Sequence, residues 1–183
     1  MSTAKPISAG PMNATLLVPL LFALAGTWGS LYLSIGLGLK ACPLCFYQRT
    51  FMMSLLAVLV MGWLADRTQG TLYCLLCVPL AVGGLGVAAF HEYLVVTGKL
   101  ECPLGLFGVG TAPAQSLALF AALTVAIVWG AWQKLVWIPG GVLLGVVLAW
   151  GCVASAPPMP QAPTTAYDKP PDICRPPFRK AGS

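Results

Sequence analysis

Charge is what this chain has least of. Only 8% of its 183 residues are Asp, Glu, Lys or Arg, against roughly 25% in ordinary soluble proteins. With 58% hydrophobic residues, so little polar surface excludes a water-soluble globule and leaves an all-α polytopic membrane protein. At this length one compact bundle is the expected domain count. Histidine occurs once, at position 91; a zinc site wants four close thiol or imidazole ligands, so no metal is expected. The ten basic residues include Lys169, Arg175, Arg179 and Lys180, spread among C-terminal prolines. A nucleic-acid surface clusters its cations on one folded face with stacking aromatics. Lipid headgroups or solvation account better for these charges, and no nucleic-acid partner is expected.

Long apolar runs fill the rest. Residues 1–15 form a short N-terminal segment, expected on the cytoplasmic side. Leu16 to Leu39 is 24 residues without a charge, ample for a bilayer core of about 30 Å. Ala23-Leu24-Ala25 resembles a signal-peptidase site, but the apolar run continues well past it and favours an uncleaved span. Further spans are expected at 46–65, 71–96 and 114–132. Asp66 to Gly70 forms a tight polar turn that makes the second and third an antiparallel hairpin. Gln133 and Lys134 interrupt the apolar pattern, and 135–155 reads as a fifth span, with a re-entrant segment as the alternative. Residues 156–183 are proline-rich and polar and read as an extended tail, not a packed domain. Small residues four apart (Ala25 and Gly29, Gly84 and Ala88, Gly141 and Gly145) suit close helix contacts in lipid.

Seven cysteines are many for this length, and an odd number leaves at least one unpaired. Five spans put Cys42, Cys45, Cys102 and Cys174 on one face, with the Asp66–Gly70 turn and Lys134 on the other. Lys5, Arg67 and Lys134 mark the N-terminal side, against Lys40, Arg49, Lys99 and the tail cations. By the positive-inside rule that count argues for the reverse orientation. Redox logic decides instead: disulfide-forming cysteines belong outside the reducing cytosol.

Cys42-Pro43-Leu44-Cys45 directly follows the first apolar run and leads into Phe46-Tyr47-Gln48-Arg49. Two cysteines separated by two residues can close and reopen a disulfide, storing and releasing two electrons. With Cys42 capping the second helix and Pro43 opening it, Cys45 lies in the first turn. There, free N–H groups and the helix dipole favour a thiolate. Arg49, four residues on, shares its face and is placed to stabilise that thiolate or to bond the oxygen of an electron acceptor. The bland alternative is an inert bridge tying down a helix end. Cys74-Leu75-Leu76-Cys77 has the same spacing but lies toward the opposite face without a nearby arginine; these two, and Cys152, read as small buried hydrophobes.

The octapeptide Cys42–Arg49 resembles the signature of the DsbB family of bacterial inner-membrane thiol oxidases. The order of spans from Leu16 to Trp132 is similar to that family's four-helix bundle, with a fifth span and a tail added here. The resemblance implies a thiol:quinone oxidoreductase. It would reoxidise a soluble periplasmic dithiol oxidase of the DsbA type and pass electrons to ubiquinone or menaquinone. It implies that Cys45 faces the quinone as a charge-transfer thiolate, that Cys42 exchanges with a second disulfide, and that Arg49 contacts the quinone. It also places His91 near the quinone; read from the residues alone, an interfacial histidine facing headgroups is the alternative. Glu92 reads as interfacial.

The family's second loop holds two cysteines, whereas Glu101-Cys102-Pro103-Leu104-Gly105 supplies one. Cys174 is the proposed missing partner, since a proline-rich chain of ~3.1 Å per residue easily reaches back. A free tail thiol is the alternative. A Cys102–Cys174 bridge is expected to be exposed and held by mobile segments. By resemblance Cys102 takes the soluble partner and Cys174 passes electrons to Cys42. Two other functions compete: a quinone-linked reductase of the vitamin K epoxide reductase type, and a non-catalytic membrane protein with structural disulfides. The first usually places its cysteine pair in a late span, unlike this chain.

Overall fold

The computed structural model describes residues 14–158, 163 and 167–178. Most of the expected N-terminal segment, with Lys5, lies outside the described residues, as do Arg179 and Lys180. Five α-helices follow one another: α1 (Ala14–Leu31), α2 (Pro43–Ala65), α3 (Gly70–Val96), α4 (Ala112–Ala131) and α5 (Ile138–Ser155). A π-helical turn, Tyr32–Gly36, prolongs α1. Among the described residues the only β pairing is two isolated bridges.

The α2–α3 turn is set by one side chain. The Asp66 carboxylate accepts from the Thr68 amide at 2.9 Å and the Thr68 hydroxyl at 2.6 Å. That satisfies donors a helix start would leave open.

Helix α3 is the axis of the bundle and packs against α2, α4 and α5. Its small residues let the neighbours close in: Gly83 meets the Phe51 ring of α2, and Gly84 meets the Phe120 ring of α4. A Cβ at either position would overlap an aromatic ring, so the sequence of α3 fixes how near its partners lie.

The register of α4 and α5 follows from their contacts along α3. Phe120 sits at Gly84, Thr124 Oγ1 donates to the Ala81 carbonyl at 3.4 Å, and Gly130 sits at Cys74, so α4 is antiparallel to α3. Gly141 lies at Val78, Gly145 at Val82 and Ala149 at Gly86, so α5 is parallel to it. The reversal falls at Lys134 (φ −112°, ψ 34°) inside a 3₁₀ segment, Trp132–Trp137. Among the described residues four stretches are long and apolar enough to cross a membrane, and the last, Ala112–Ser155, covers 44 residues. Straight, it would measure about 66 Å, twice a bilayer core; folded at Lys134 it becomes two antiparallel helices. The α5 C-terminus returns to the cysteine face, where Ser155 Oγ lies 3.4 Å from Tyr47 Oη. Leu21, Leu24, Trp28, Val125, Trp129, Leu143, Val147 and Trp150 form an apolar exterior, as lipid contact requires.

The tail differs from its sequence-based reading. Residues 167–178 form no helix and bend at 168–169 and 172–173, and they are strapped across the cysteine face. The Glu101 N–H donates to the Arg175 carbonyl (2.8 Å), the Arg175 N–H returns the bond to Glu101 (3.0 Å), and Lys40 N–H donates to the Asp172 carbonyl (2.8 Å). Proline removes donors and stiffens a chain; it does not prevent a few well-placed main-chain bonds.

Candidate active site

Cys42 is the N-cap of α2, with φ −72° and ψ 164°, and its sulfur accepts from the Cys45 N–H at 3.2 Å. Pro43 follows in the first turn, where its missing N–H costs nothing. This local geometry folds the two sulfurs to 2.7 Å from each other, so closing a bond needs only a small side-chain movement. Hydrogen bonding to the Cys45 side chain is the largest influence on the Cys42 thiol; burial opposes it and His91 adds to it, and the thiol is pulled down to about 5. In the reduced pair these contacts favour the thiolate at Cys42.

One turn further, Arg49 spans the gap to α1. Its Nε donates to Ser30 Oγ at 3.0 Å, and Nη2 donates to the Ser30 carbonyl at 3.1 Å and to Ser34 Oγ at 2.5 Å. Ser34 lies in the π-helical turn, an irregularity common at functional sites. Three bonds hold the guanidinium plane in one orientation beside the cysteine pair.

His91 is fully buried, which overturns the headgroup-facing alternative. Helix α3 carries it to the cysteine face, and α2 and α4 orient it. Ser116 Oγ donates to Gln48 Oε1 at 2.7 Å, which turns the Gln48 amide nitrogen toward His91 Nδ1, 3.1 Å away. An accepting Nδ1 leaves Nε2 as the ring's donor. That nitrogen lies 3.8 Å from Cys42 Sγ and 3.6 Å from Cys102 Sγ.

Cys102 and Cys174 are joined by a disulfide across 72 residues. The pairing proposed from the sequence is present, but its expected exposure is not: Cys102 is only 9% exposed. The strap explains this. Lys40 Nζ pairs with the Asp172 carboxylate at 3.0 Å, and this partner holds that carboxyl below its usual range. The Arg175 guanidinium stacks on Tyr167 at 3.6 Å, close to Glu101. The contact atoms of Cys42, Cys45, His91 and Cys174 all lie within 4.8 Å of one another. Both sulfur pairs thus meet at one imidazole.

An apolar cavity of about 150 Å³ opens beside them. Cys45, Arg49, Gln48 and His91 line it together with Met52, Leu119 and Phe120. Glu92, read as interfacial, accepts from Thr111 Oγ1 at 3.4 Å. Cys74 and Cys77 are buried in α3 toward the other end, with Cys74 Sγ against the Thr15 carbonyl at 3.4 Å, and Cys152 is half-buried on α5.

Sequence reasoning passed over Gln48, Ser116, Ser30 and Ser34. The available signal was polarity inside apolar spans, since such side chains bond across helices in lipid.

The family model for disulfide bond formation protein DsbB matches residues 12–116. A probable disulfide formation protein of Chlamydia trachomatis serovar D is 32% identical over 118 residues, 59% of this chain and 85% of its own. One from Metapseudomonas resinovorans is 30% identical over 135 residues, 67% and 92% of the two chains. Disulfide bond formation protein B 1 of Pseudomonas fluorescens is 37% identical over 84 residues, 45% and 49%. No solved structure gives a significant match. The matched stretch holds the Cys42–Cys45 pair, Arg49, His91 and Cys102, and by it the chain belongs to the DsbB family of disulfide bond formation proteins.

Proposed function

We propose that this chain is a membrane thiol:quinone oxidoreductase that reoxidises a soluble periplasmic dithiol oxidase of the DsbA type, with its cysteine face toward the periplasm. One observation carries the reading. Cys42 is in reach of Cys174 on one side, and Cys45 lines an apolar cavity with Arg49 on the other.

The exchange runs by thiolate attack at sulfur. A thiolate of the reduced partner attacks Cys102; the Cys102–Cys174 bond breaks and Cys174 leaves as a thiolate. The partner's second thiol then attacks the mixed disulfide, freeing Cys102 and releasing the partner oxidised. Cys174 attacks Cys42, breaking Cys42–Cys45 and leaving the charge on Cys45. Cys102 attacks Cys174, which restores the outer disulfide and releases Cys42. The inner pair now holds both electrons. The His91 Nε2–H faces both Cys42 and Cys102 and steadies whichever sulfur carries the charge.

The cavity fits a quinone headgroup in kind: apolar walls for a flat ring, with the Arg49 guanidinium on its lining. When bound, the quinone supplies the sink for two electrons and two protons. The chain's own residues orient it, exclude water and hold Cys45 against it. Ubiquinone and menaquinone share these demands.

Purified protein mixed with a ubiquinone analogue and a reduced dithiol partner is expected to bleach quinone absorbance. Cys42→Ala and Cys45→Ala should abolish turnover while Cys74→Ala keeps it. Turnover that survives the first two changes would reject this function.

A further inference from the structure

The sequence holds one histidine and scatters its cysteines, yet the fold gathers three cysteine sulfurs and an imidazole into one partly buried cluster. Cys42, Cys45 and Cys174 Sγ and a ring nitrogen of His91 lie within 4.8 Å of one another. Three thiolates and a neutral imidazole are a donor set that a thiophilic divalent cation takes tetrahedrally. We propose that the fully reduced protein binds one zinc-class cation at Cys42, Cys45, Cys174 and His91, and that the bound ion holds both sulfur pairs out of exchange.

The distances suit this. Zn–S of about 2.3 Å and Zn–N of about 2.0 Å give S···S edges of about 3.8 Å and S···N edges of about 3.5 Å. Cys42 Sγ is already 3.8 Å from His91 Nε2. Cys42 and Cys45, now 2.7 Å apart, must open by about an ångström, which a cation between two thiolates does. The electron state gates the site. The Cys102–Cys174 bond occupies one donor, so two reducing equivalents from a dithiol are needed before Cys174 is free to ligate. Ion binding then displaces the remaining thiol protons to solvent. No ligating sulfur can attack or be attacked, so occupancy blocks exchange reversibly.

A supporting shell for the imidazole is present as well. To ligate through Nε2, His91 must carry its proton on Nδ1 and donate it outward. A half-turn of the Gln48 amide presents Oε1 to Nδ1 and its nitrogen to Ser116, whose hydroxyl accepts as readily as it donates. The same pair of side chains supports either tautomer.

The test uses full-length protein in detergent, reduced with excess dithiothreitol and desalted under argon, then titrated with Co²⁺. One equivalent is expected to give the visible bands of a tetrahedral thiolate site, bleached by Zn²⁺ and absent from air-oxidised protein. Zn²⁺ should also protect Cys42 from iodoacetamide, a readout independent of any quinone activity. Cys174→Ser should weaken binding at least tenfold, and Gln48→Glu should tighten it about tenfold, as a carboxylate behind a ligating histidine does. Cys152→Ser and the Cys74→Ser/Cys77→Ser pair are expected to bind as the parent does. Bands that persist in oxidised protein, survive Cys174→Ser undiminished or vanish with Cys74 and Cys77 would overturn the assignment, as would no bands in the reduced protein.

Discussion

Gln48 holds His91 by a 3.1 Å bond to Nδ1, and that bond sets what the ring offers the cysteines. Helix α2 carries both Gln48 and the Cys42–Cys45 pair, so the residue that orients the imidazole shares a rigid element with the sulfurs it serves. Gln48→Leu leaves a buried ring nitrogen unpaired, a loss of about 1–3 kcal/mol. Exchange between the two sulfur pairs is expected to slow about tenfold, with the fold intact. Acid-quenched alkylation after a dithiol pulse measures it, and Gln48→Asn should be no better than Leu, because it is one methylene too short.

Arg49→Lys keeps the charge but gives up a planar fork that reaches Ser30 and Ser34 together. The expected signature is a rise of about tenfold in the KM for a quinone analogue, while dithiol exchange at Cys102 is unchanged. An equal loss in both steps would mean that Arg49 acts on the bundle and not on the cavity.

The depressed Cys42 thiol makes a pH-dependent claim. Alkylation of the reduced, metal-free protein by iodoacetamide is expected to be half-maximal near pH 5 and flat above about pH 6. An ordinary thiol is half-maximal near 8.5. Because the folded value is lowered, the extra stability of the reduced folded form is fully present above the ordinary thiol range. It declines as pH falls and is gone below about 5. Half-maximal labelling of Cys42 near pH 8.5 would contradict this.

Lys40→Ala removes the ion pair that fastens the strap at Asp172. The pair is exposed, so the effect is modest: reduction of Cys102–Cys174 by dithiothreitol should speed up about two- to fivefold, with the backbone pairing of Glu101 and Arg175 still holding. Acid should mimic the substitution. The Asp172 carboxyl is held below its ordinary value of 3.8, so its contribution stands above that value and is lost as pH falls through the lowered one.

The helical class was legible because lipid allows a spanning chain few ways to satisfy its backbone. Asp66–Gly70 was legible as a turn because its polar side chains bond locally. The Cys42 cap was legible for the same reason: N-cap, proline and first-turn thiol are neighbours in the chain. Gln48 was missed because its partners, His91 and Ser116, are 43 and 68 residues away, and no local pattern marks such a pair. The strap was misread for a related reason. Composition reports that a proline-rich stretch will be extended, and is silent on where three main-chain bonds will catch it.

The sequence by itself determined an all-helical membrane protein of the DsbB family, with a cysteine pair at a helix start and an arginine one turn on. All of that follows from hydrophobic run length and from residues within one helical turn of each other. Only the tertiary structure decided that His91 is buried between two sulfur pairs, that Gln48 meets its Nδ1, and that the tail brings Cys174 to within 4.8 Å of Cys42. Those are meetings of residues far apart in sequence. They depend on how closely α3 lets its neighbours approach, which is a property of packing that no single segment carries.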